Sequence, residues 1–291
     1  MLLTHHALRS GRLSGFLRRE FNLSTGLIRR LKTQEALYVD GQPHHTDYWV
    51  DAGQRIDIRI EETPAPFPAE LLPFSILYED DFLLAADKPA DMLVHPSPRC
   101  MTGTLANRVI AYYQATGQPF AFHPVTRLDR DTMGLVLIAK ASPVHERMVR
   151  QHTAGQLHKI YRALVFGAPA SDNGVIDAPI ARCPYPSLLR EVAPSGQPAC
   201  TEYRVLSRYA SYSLLELHPL TGRTHQLRVH CAFSGFPILG DPQYFTPASA
   251  AFSAAAALTT QQLLAYQLTF PHPMTGESLT IASRLTLPSL S

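Results

Sequence analysis

Residues 135–140 read LVLIAK, a continuous apolar run closed by a lysine. Such a run has no polar face to leave in water, so it predicts a strand buried on both sides within a sheet. Just before it stands HPVTRLDRDTMG, which puts Arg127, Asp129, Arg130 and Asp131 within five residues. The flanking arginines give Asp129 a counter-charge that holds it ionised if it is buried. A carboxylate in that setting can act as nucleophile or base. The plainer possibility is a surface ion-pair loop, for instance a salt bridge of Arg127 to Asp131.

The surrounding residues, 74–291, alternate short apolar runs with Gly and Pro turns, in the manner of a mixed sheet carrying a few helices. Pattern alone gives an α+β class. Residues 62–73 (ETPAPFPAELLP) hold four prolines and predict a stiff, extended linker. Residues 1–61 form a separate zone. There Gly15–Glu20 and Ser24–Lys32 predict two short helices, with Ser24 as N-cap and Leu27, Ile28 and Leu31 on the buried face of the second. Arg29, Arg30 and Lys32 lie around its other side, either as an RNA-phosphate reader or as a solvated face. ALYVDGQ predicts a strand and turn. In VDAGQRIDIRI, Ile56, Ile58 and Ile60 alternate with Arg55, Asp57 and Arg59, which predicts a half-buried strand with a charged outer face.

Composition narrows the function classes. The chain of 291 residues is 45% apolar and 17% charged with a net charge of +2, so it is globular, and any affinity for nucleic acid must be local. No apolar run approaches the roughly 20 residues of a membrane span, and the N-terminus lacks a secretory pattern. The four cysteines (Cys100, Cys183, Cys200 and Cys231) form no C-x-x-C pair, which argues against a zinc ribbon or disulfide framework and suits the cytoplasm.

A second informative stretch is LLELHPLTGRTHQLRVHCAFSG, residues 214–235. It predicts a strand, a turn at Thr221, Gly222 and Arg223, and a helix N-capped by Thr224. His225 and Arg228 share one helix face, so Arg228 is a candidate partner for a site carboxylate. His225 and His230 are five apart, whereas helical metal pairs favour four, so no metal is expected.

These segments together resemble the RluA-type pseudouridine synthases. Residues 127–135, RLDRDTMGL, are similar to that family's R-L-D-x-x-T-S-G-L. LTGRTHQLRVH (220–230) is similar to L-x-T-G-R-x-H-Q-I-R-x-H, and GDPQY (240–244) to G-D-x-x-Y. Upstream, residues 76–96 resemble the family's opening through Lys88 and Pro89, and KIYRALVFG (159–167) resembles K-x-Y-x-A-L-V-x-G. The departures are Thr126 for a histidine, Met133 for a serine and Asp91 for a glycine. Residues 1–61 resemble a small S-four-like RNA-binding module through Leu23 and Ser24, Val39 to Gly41, and Gly53 to Ile56, with Glu35 and Ala36 where that module has a glycine.

The resemblance implies a mixed, largely antiparallel sheet with a central cleft, and an isomerase that converts uridine in RNA to pseudouridine without a cofactor. Asp129 is then the catalytic carboxylate, Arg228 its ion-pair partner, and Tyr161 the aromatic ring beside the uracil. Arg127 would fill the stack vacated by the everted base. Leu227, Lys88 and Arg223 are expected at the substrate, with Lys88, Lys159 and Arg223 as phosphate contacts. Ribosomal RNA is the expected partner and transfer RNA the alternative, for a monomer that touches no membrane. Two other classes compete: a silent RNA-binding copy, which should lack Asp129 or Arg228, and a hydrolase, which needs a second carboxylate such as Glu216 or Asp241.

Overall fold

The computed structural model describes residues 1–62, 66–118 and 120–290, so residues 63–65 of the expected linker lie outside the described residues. The N-terminal unit runs β1 (Leu2–His6), β2 (Gly11–Arg12), α1 (Leu13–Arg19), α2 (Thr25–Thr33), β3 (Leu37–Val39), β4 (Gln42–Pro43), β5 (Trp49–Val50) and β6 (Arg55–Arg59). Its main sheet has the order β1-β6-β3-β4. Ile56, Ile58 and Ile60 are buried as their alternation requires, and Ser24 caps α2 by accepting from the Leu27 amide at 3.1 Å. Two details depart from expectation. β1, unforeseen in the sequence, pairs antiparallel with β6, Leu3 opposite Ile58. Asp57 is buried rather than outward, because Thr4 Oγ1 donates to it at 2.8 Å and Arg55 pairs with it at 2.9 Å.

The larger unit carries a ten-stranded sheet. In chain order it contains β7 (Ser75–Glu79), β8 (Leu83–Lys88), α3 (Leu105–Ala115), β9 (His123–Pro124), β10 (Met133–Ala139), α4 (Ser142–Thr153), β11 (His158–Phe166) and β12 (Asn173–Asp177). A separate hairpin follows, β13 (Ile180–Arg182) and β14 (Arg190–Val192). The chain then continues through β15 (Cys200–Arg208), β16 (Tyr212–Pro219), α5 (Gln226–Phe233), α6 (Pro247–Ala255), β17 (Leu263–Pro271) and β18 (Ser278–Ala282). The spatial order is β12-β15-β16-β11-β17-β10-β8-β7, with β18 on β17 and β9 on β10. Every pairing is antiparallel except β10 with β17.

The LVLIA run is the middle of this sheet. Val136 and Ile138 pack with Leu84, Ala86 and α3, while Leu135, Leu137 and Ala139 pack with Leu83, Ala85 and Val144 and Met148 of α4. Both faces are covered, which is why the sequence there carries no polar alternation. Lys140, the closing lysine, is buried too and pairs with Glu79 at 2.7 Å. Among the described residues no helix is long and apolar enough to cross a membrane.

The two units are fastened at α4. Ser24 donates through its amide and hydroxyl to Glu146 (3.1 and 2.7 Å), Arg147 donates to the Phe21 carbonyl (2.6 and 3.1 Å), and Arg150 binds Asn22. The described part of the expected stiff linker is bonded to the larger unit: Pro68 O and Glu70 N bond Asn107, and Pro73 O accepts from Arg108. Glu62 serves the uncapped start of α4, accepting from the Ser142 amide (2.8 Å) and hydroxyl (3.0 Å) and lying 3.2 Å from His123 Nε2.

Burial raises the Glu62 carboxyl, but its bonds to His123 and Ser142 more than offset that and hold it below the usual value of 4.5. The folded value therefore lies below the unfolded one. The stabilisation it supplies is complete above about pH 4.5 and lost as pH falls through the lowered value. Glu62→Gln is expected to cost roughly 1.5–3 kcal/mol at neutral pH and to flatten the acid side of the melting profile. Thermal denaturation between about pH 7 and 3 reads both. An acid profile that tracks the parent protein would remove Glu62 from this role.

Candidate active site

Asp129 sits on the loop that enters β10, and that loop is held from several sides. Lys88 Nζ donates to the carbonyls of Pro89 (2.9 Å) and Arg130 (2.8 Å), the Met92 amide donates to Arg130 O (3.2 Å), and the Thr132 amide donates to Asp129 O (3.2 Å). Thr132 Oγ1 also accepts from Gln261, and Thr126 Oγ1 from the Leu137 amide. Gly134 follows at φ +110°, and a Cβ there would lie 2.4 Å from Ala265 O. Glycine alone allows β10 and β17 to approach this closely, where their parallel pairing is confined to Met133–Leu264 and Gly134–Ala265. Beyond that point β17 pairs with β18.

Lys88 has no exposed surface. This corrects its expected place at a phosphate: an ammonium spent on two backbone carbonyls inside the core organises the loop and cannot reach the RNA backbone. Burial pushes it down to about 8, against the pull of Asp131, Asp129 and Asp91.

The cleft has a volume of about 310 Å³, and Arg127, Asp129, Lys159, Tyr161, Arg223, His225, Leu227 and Arg228 all line it. The Asp129 side chain keeps about a third of its surface open to the cleft. Arg228 Nη1 donates to Asp129 Oδ2 at 3.2 Å. Its other donors are taken by Asp241, through Nε (2.7 Å) and Nη2 (2.8 Å), and by Gln243 (2.8 Å). Arg228 thus bridges a buried carboxylate and an open one. Burial disfavours its charge, but Asp241 and then Asp129 overcome this and raise the guanidinium above its usual value.

Asp241 was expected only as a spare acid. Its side chain is fully buried, and Oδ1 also accepts the amides of Gln243 (2.9 Å) and Tyr244 (3.1 Å). It anchors Arg228 and does not line the cleft. Gly240 makes the turn possible at φ +71°, since a Cβ would lie 2.1 Å from Thr260 O. Glu216 pairs with Arg204 and His218 and does not line the cleft, so neither carboxylate provides the second acid a hydrolase requires.

Tyr161 reaches the cleft from β11 at a β-bulge, where the pairing with β17 slips between Ile160 and Tyr161. Bulges re-aim a side chain next to a functional site. Burial, and next the Asp129 charge, push its phenol up to about 12. Leu227 lies on the cleft wall and in the apolar cluster behind it. Lys159 Nζ sits 2.9 Å from His152 Nε2, and Arg223 donates through Nε to Pro198 O. Arg127 is exposed at the rim, and among the described residues it forms no ion pair with Asp131. Asp91 instead pairs with Arg130.

The start of α5 differs from expectation. Thr224 is not its cap; His225 holds that position in the left-handed region at φ 58°, without a side-chain cap. Gln226 stabilises the turn instead, accepting from the Arg223 amide (2.9 Å) and Thr221 Oγ1 (2.8 Å) while donating to Cys200 O. His225 Nδ1 lies 2.8 Å from the Tyr244 hydroxyl, which accepts from the Arg190 amide at 2.8 Å. The other ring nitrogen, Nε2, lies 3.9 Å from Asp129 Oδ2. Burial lowers the imidazole, Asp129 opposes that, and Arg228 and Arg190 lower it further. His230 is buried between Thr201 and the Ala178 carbonyl, away from His225's partners. His225, Asp241 and Tyr244 all lie inside the resembling motifs, but nothing in those strings alone shows that they converge on Asp129 or Arg228.

The RNA pseudouridylate synthase family matches residues 82–233 of this chain. An uncharacterized RNA pseudouridine synthase of Aquifex aeolicus is 36% identical over 279 residues, covering 91% of this chain and 87% of that protein. Ribosomal large subunit pseudouridine synthase D of Pasteurella multocida is 36% identical over 263 residues, covering 85% and 80%. Among solved structures, human RNA pseudouridylate synthase domain containing 4 is 28% identical with a TM-score of 0.58, covering 74% of this chain and 88% of its own. The fold, the cleft and these relatives agree: the chain belongs to the RNA pseudouridylate synthase family, as an RluA-type RNA pseudouridine synthase.

Proposed function

We propose that this enzyme isomerises uridines of large-subunit ribosomal RNA, with Asp129 as the catalytic carboxylate and no cofactor. The observation that carries the reading is Asp129, open to the cleft, 3.2 Å from the buried Arg228 guanidinium and facing Tyr161 across the same cavity. The reaction breaks the bond from ribose to uracil N1, turns the base and rejoins it through C5. The C5 proton is lost and one is gained at N1, so atoms balance without a donor. Arg228 offers a fixed, charge-assisted hydrogen bond to the carboxylate throughout. Tyr161 is a neutral phenol in the resting cleft and provides the aromatic wall for the uracil. Its phenolate is the acceptor assigned to the C5 proton, and burial makes that phenolate more basic and less populated.

The target uridine must leave its stack, at a cost of a few kcal/mol. Arg127, exposed at the rim, is assigned to occupy the gap. Leu227 and Arg223 complete the substrate surface. Residues 1–61 are assigned as an S-four-like RNA-binding domain, 62–73 as its linker and 74–291 as the catalytic domain. Arg29 and Lys32 lie at the exposed face of α2, their side chains without a hydrogen-bond or ion-pair partner among the described residues, while Arg30 turns its guanidinium to Ser142. The relatives named for the ribosomal large subunit favour that RNA over transfer RNA, and we assign the enzyme to the cytoplasm as a monomer.

Carbodiimide primer extension on RNA from cells with and without the gene tests the assignment. One or more stops in large-subunit ribosomal RNA should vanish with the gene. Stops lost only from transfer RNA would replace the substrate, and an unchanged map of both would reject it.

A further inference from the structure

The β13–β14 hairpin places Arg182 directly opposite Arg190 in its antiparallel register. Like charges in facing cross-strand positions repel, and hairpins ordinarily avoid them. The intervening alternation sends Glu191 to the other face, so it does not relieve the pair. A third arginine, Arg223 of the turn before α5, faces the same cavity of about 540 Å³, and no carboxylate lines it. Arg190 Nη1 is spent on the carbonyls of Leu188 and Leu189, and Arg223 Nε on Pro198 O. Among the described residues the Arg182 side chain has no hydrogen-bond or ion-pair partner, and it is exposed.

The walls are firm. The Gly196 loop lies so close on β13 that a Cβ there would meet the Ile180 carbonyl carbon at 2.4 Å, and Gln197 and Ile180 exchange backbone hydrogen bonds at 2.9 Å. The base of β14 is tied to Tyr244 through the Arg190 amide. This cavity shares Gly222 and Arg223 with the cleft that holds Asp129.

We infer that Arg182, Arg190 and Arg223 form a subsite for a backbone phosphate of the RNA strand flanking the target uridine. The inference rests on the RNA reading above and adds where that strand leaves the cleft. An anion between the three guanidinium groups relieves the repulsion between Arg182 and Arg190, and its adjacency to Asp129 sets the path of the neighbouring nucleotide.

The test uses the full-length protein with Arg182→Glu and Arg182→Gln, neither of which touches Asp129, Tyr161 or Arg228. Arg182→Glu pairs with Arg190, so its melting temperature should equal or exceed that of the parent; a fall would overturn the premise that the arginine pair is strained. Filter binding of a protein-free large-subunit ribosomal RNA transcript is measured across a salt series. The glutamate variant should bind about tenfold more weakly, with the slope of log affinity on log salt reduced by about 0.7–0.9 for the lost contact. The glutamine variant should show the same slope change. The rate at saturating RNA should stay within about twofold of the parent. Unchanged affinity and slope, or a lost rate at unchanged affinity, would overturn the subsite. Failure of the parent protein to form pseudouridine in any ribosomal or transfer RNA would instead sink the catalytic reading, and the binding slopes would still decide the subsite.

Discussion

Asp129→Asn should lose pseudouridine formation by at least about 10⁴-fold, equivalent to some 5 kcal/mol of barrier, while RNA affinity stays within about threefold. The reason lies in how Arg228 is held. Its bidentate pair with Asp241 and its bond to Gln243 do not depend on residue 129, and an amide oxygen can still accept from Nη1. The loop is set by main-chain carbonyls and amides, with Lys88 on Arg130 O and Thr132 N on Asp129 O, so the backbone should not move. The substitution therefore removes charge and nucleophilicity and little else. Single-turnover assays with binding measured alongside read the split, and a variant with normal turnover would overturn the role of Asp129.

The second large effect is on stability. Asp241→Ala should destabilise the protein by about 3–5 kcal/mol, because it strands a buried guanidinium without its main counter-charge. For a chain of this size that corresponds to a fall in melting temperature on the order of 10 °C. The Gln243 and Tyr244 amides lose their acceptor as well, so the turn that carries Tyr244 to His225 should loosen. Activity should drop even well below the new melting temperature, since Arg228 would be free to close on Asp129. Asp241→Asn keeps the shape and the two amide bonds and should fall between the parent and the alanine variant. Thermal denaturation of the three proteins decides this, and an unchanged midpoint in the alanine variant would show that Asp129 alone suffices to hold Arg228.

Much of the scaffold is legible in local pattern. The LVLIA run, the alternation of Ile56, Ile58 and Ile60, and Ser24 ahead of α2 each state which face is buried or where a helix starts, and each is found so. Failures occur where a partner from elsewhere decides the outcome. LLTHH has too little periodicity to announce a strand and becomes β1 because β6 is there to pair with it. Asp57 belongs by alternation to the solvent face, yet Thr4 and Arg55 compensate its burial. Thr224 has the chemistry of a helix cap, but Gln226 satisfies the turn and leaves His225 at the cap in a left-handed conformation.

The same division runs through the catalytic centre. By itself the sequence determined the elements, the charged loop before β10 and the residue types available for chemistry, because propensity and periodicity act within a few residues. Only the tertiary structure decided that Arg228 is shared between Asp129, 99 residues away, and Asp241, 13 away, and that Lys88 turns inward to carbonyls rather than outward to phosphate. Those outcomes depend on which buried polar group meets which partner across the sheet, and the energy of leaving one unpaired is set by the folded surroundings rather than by neighbours along the chain.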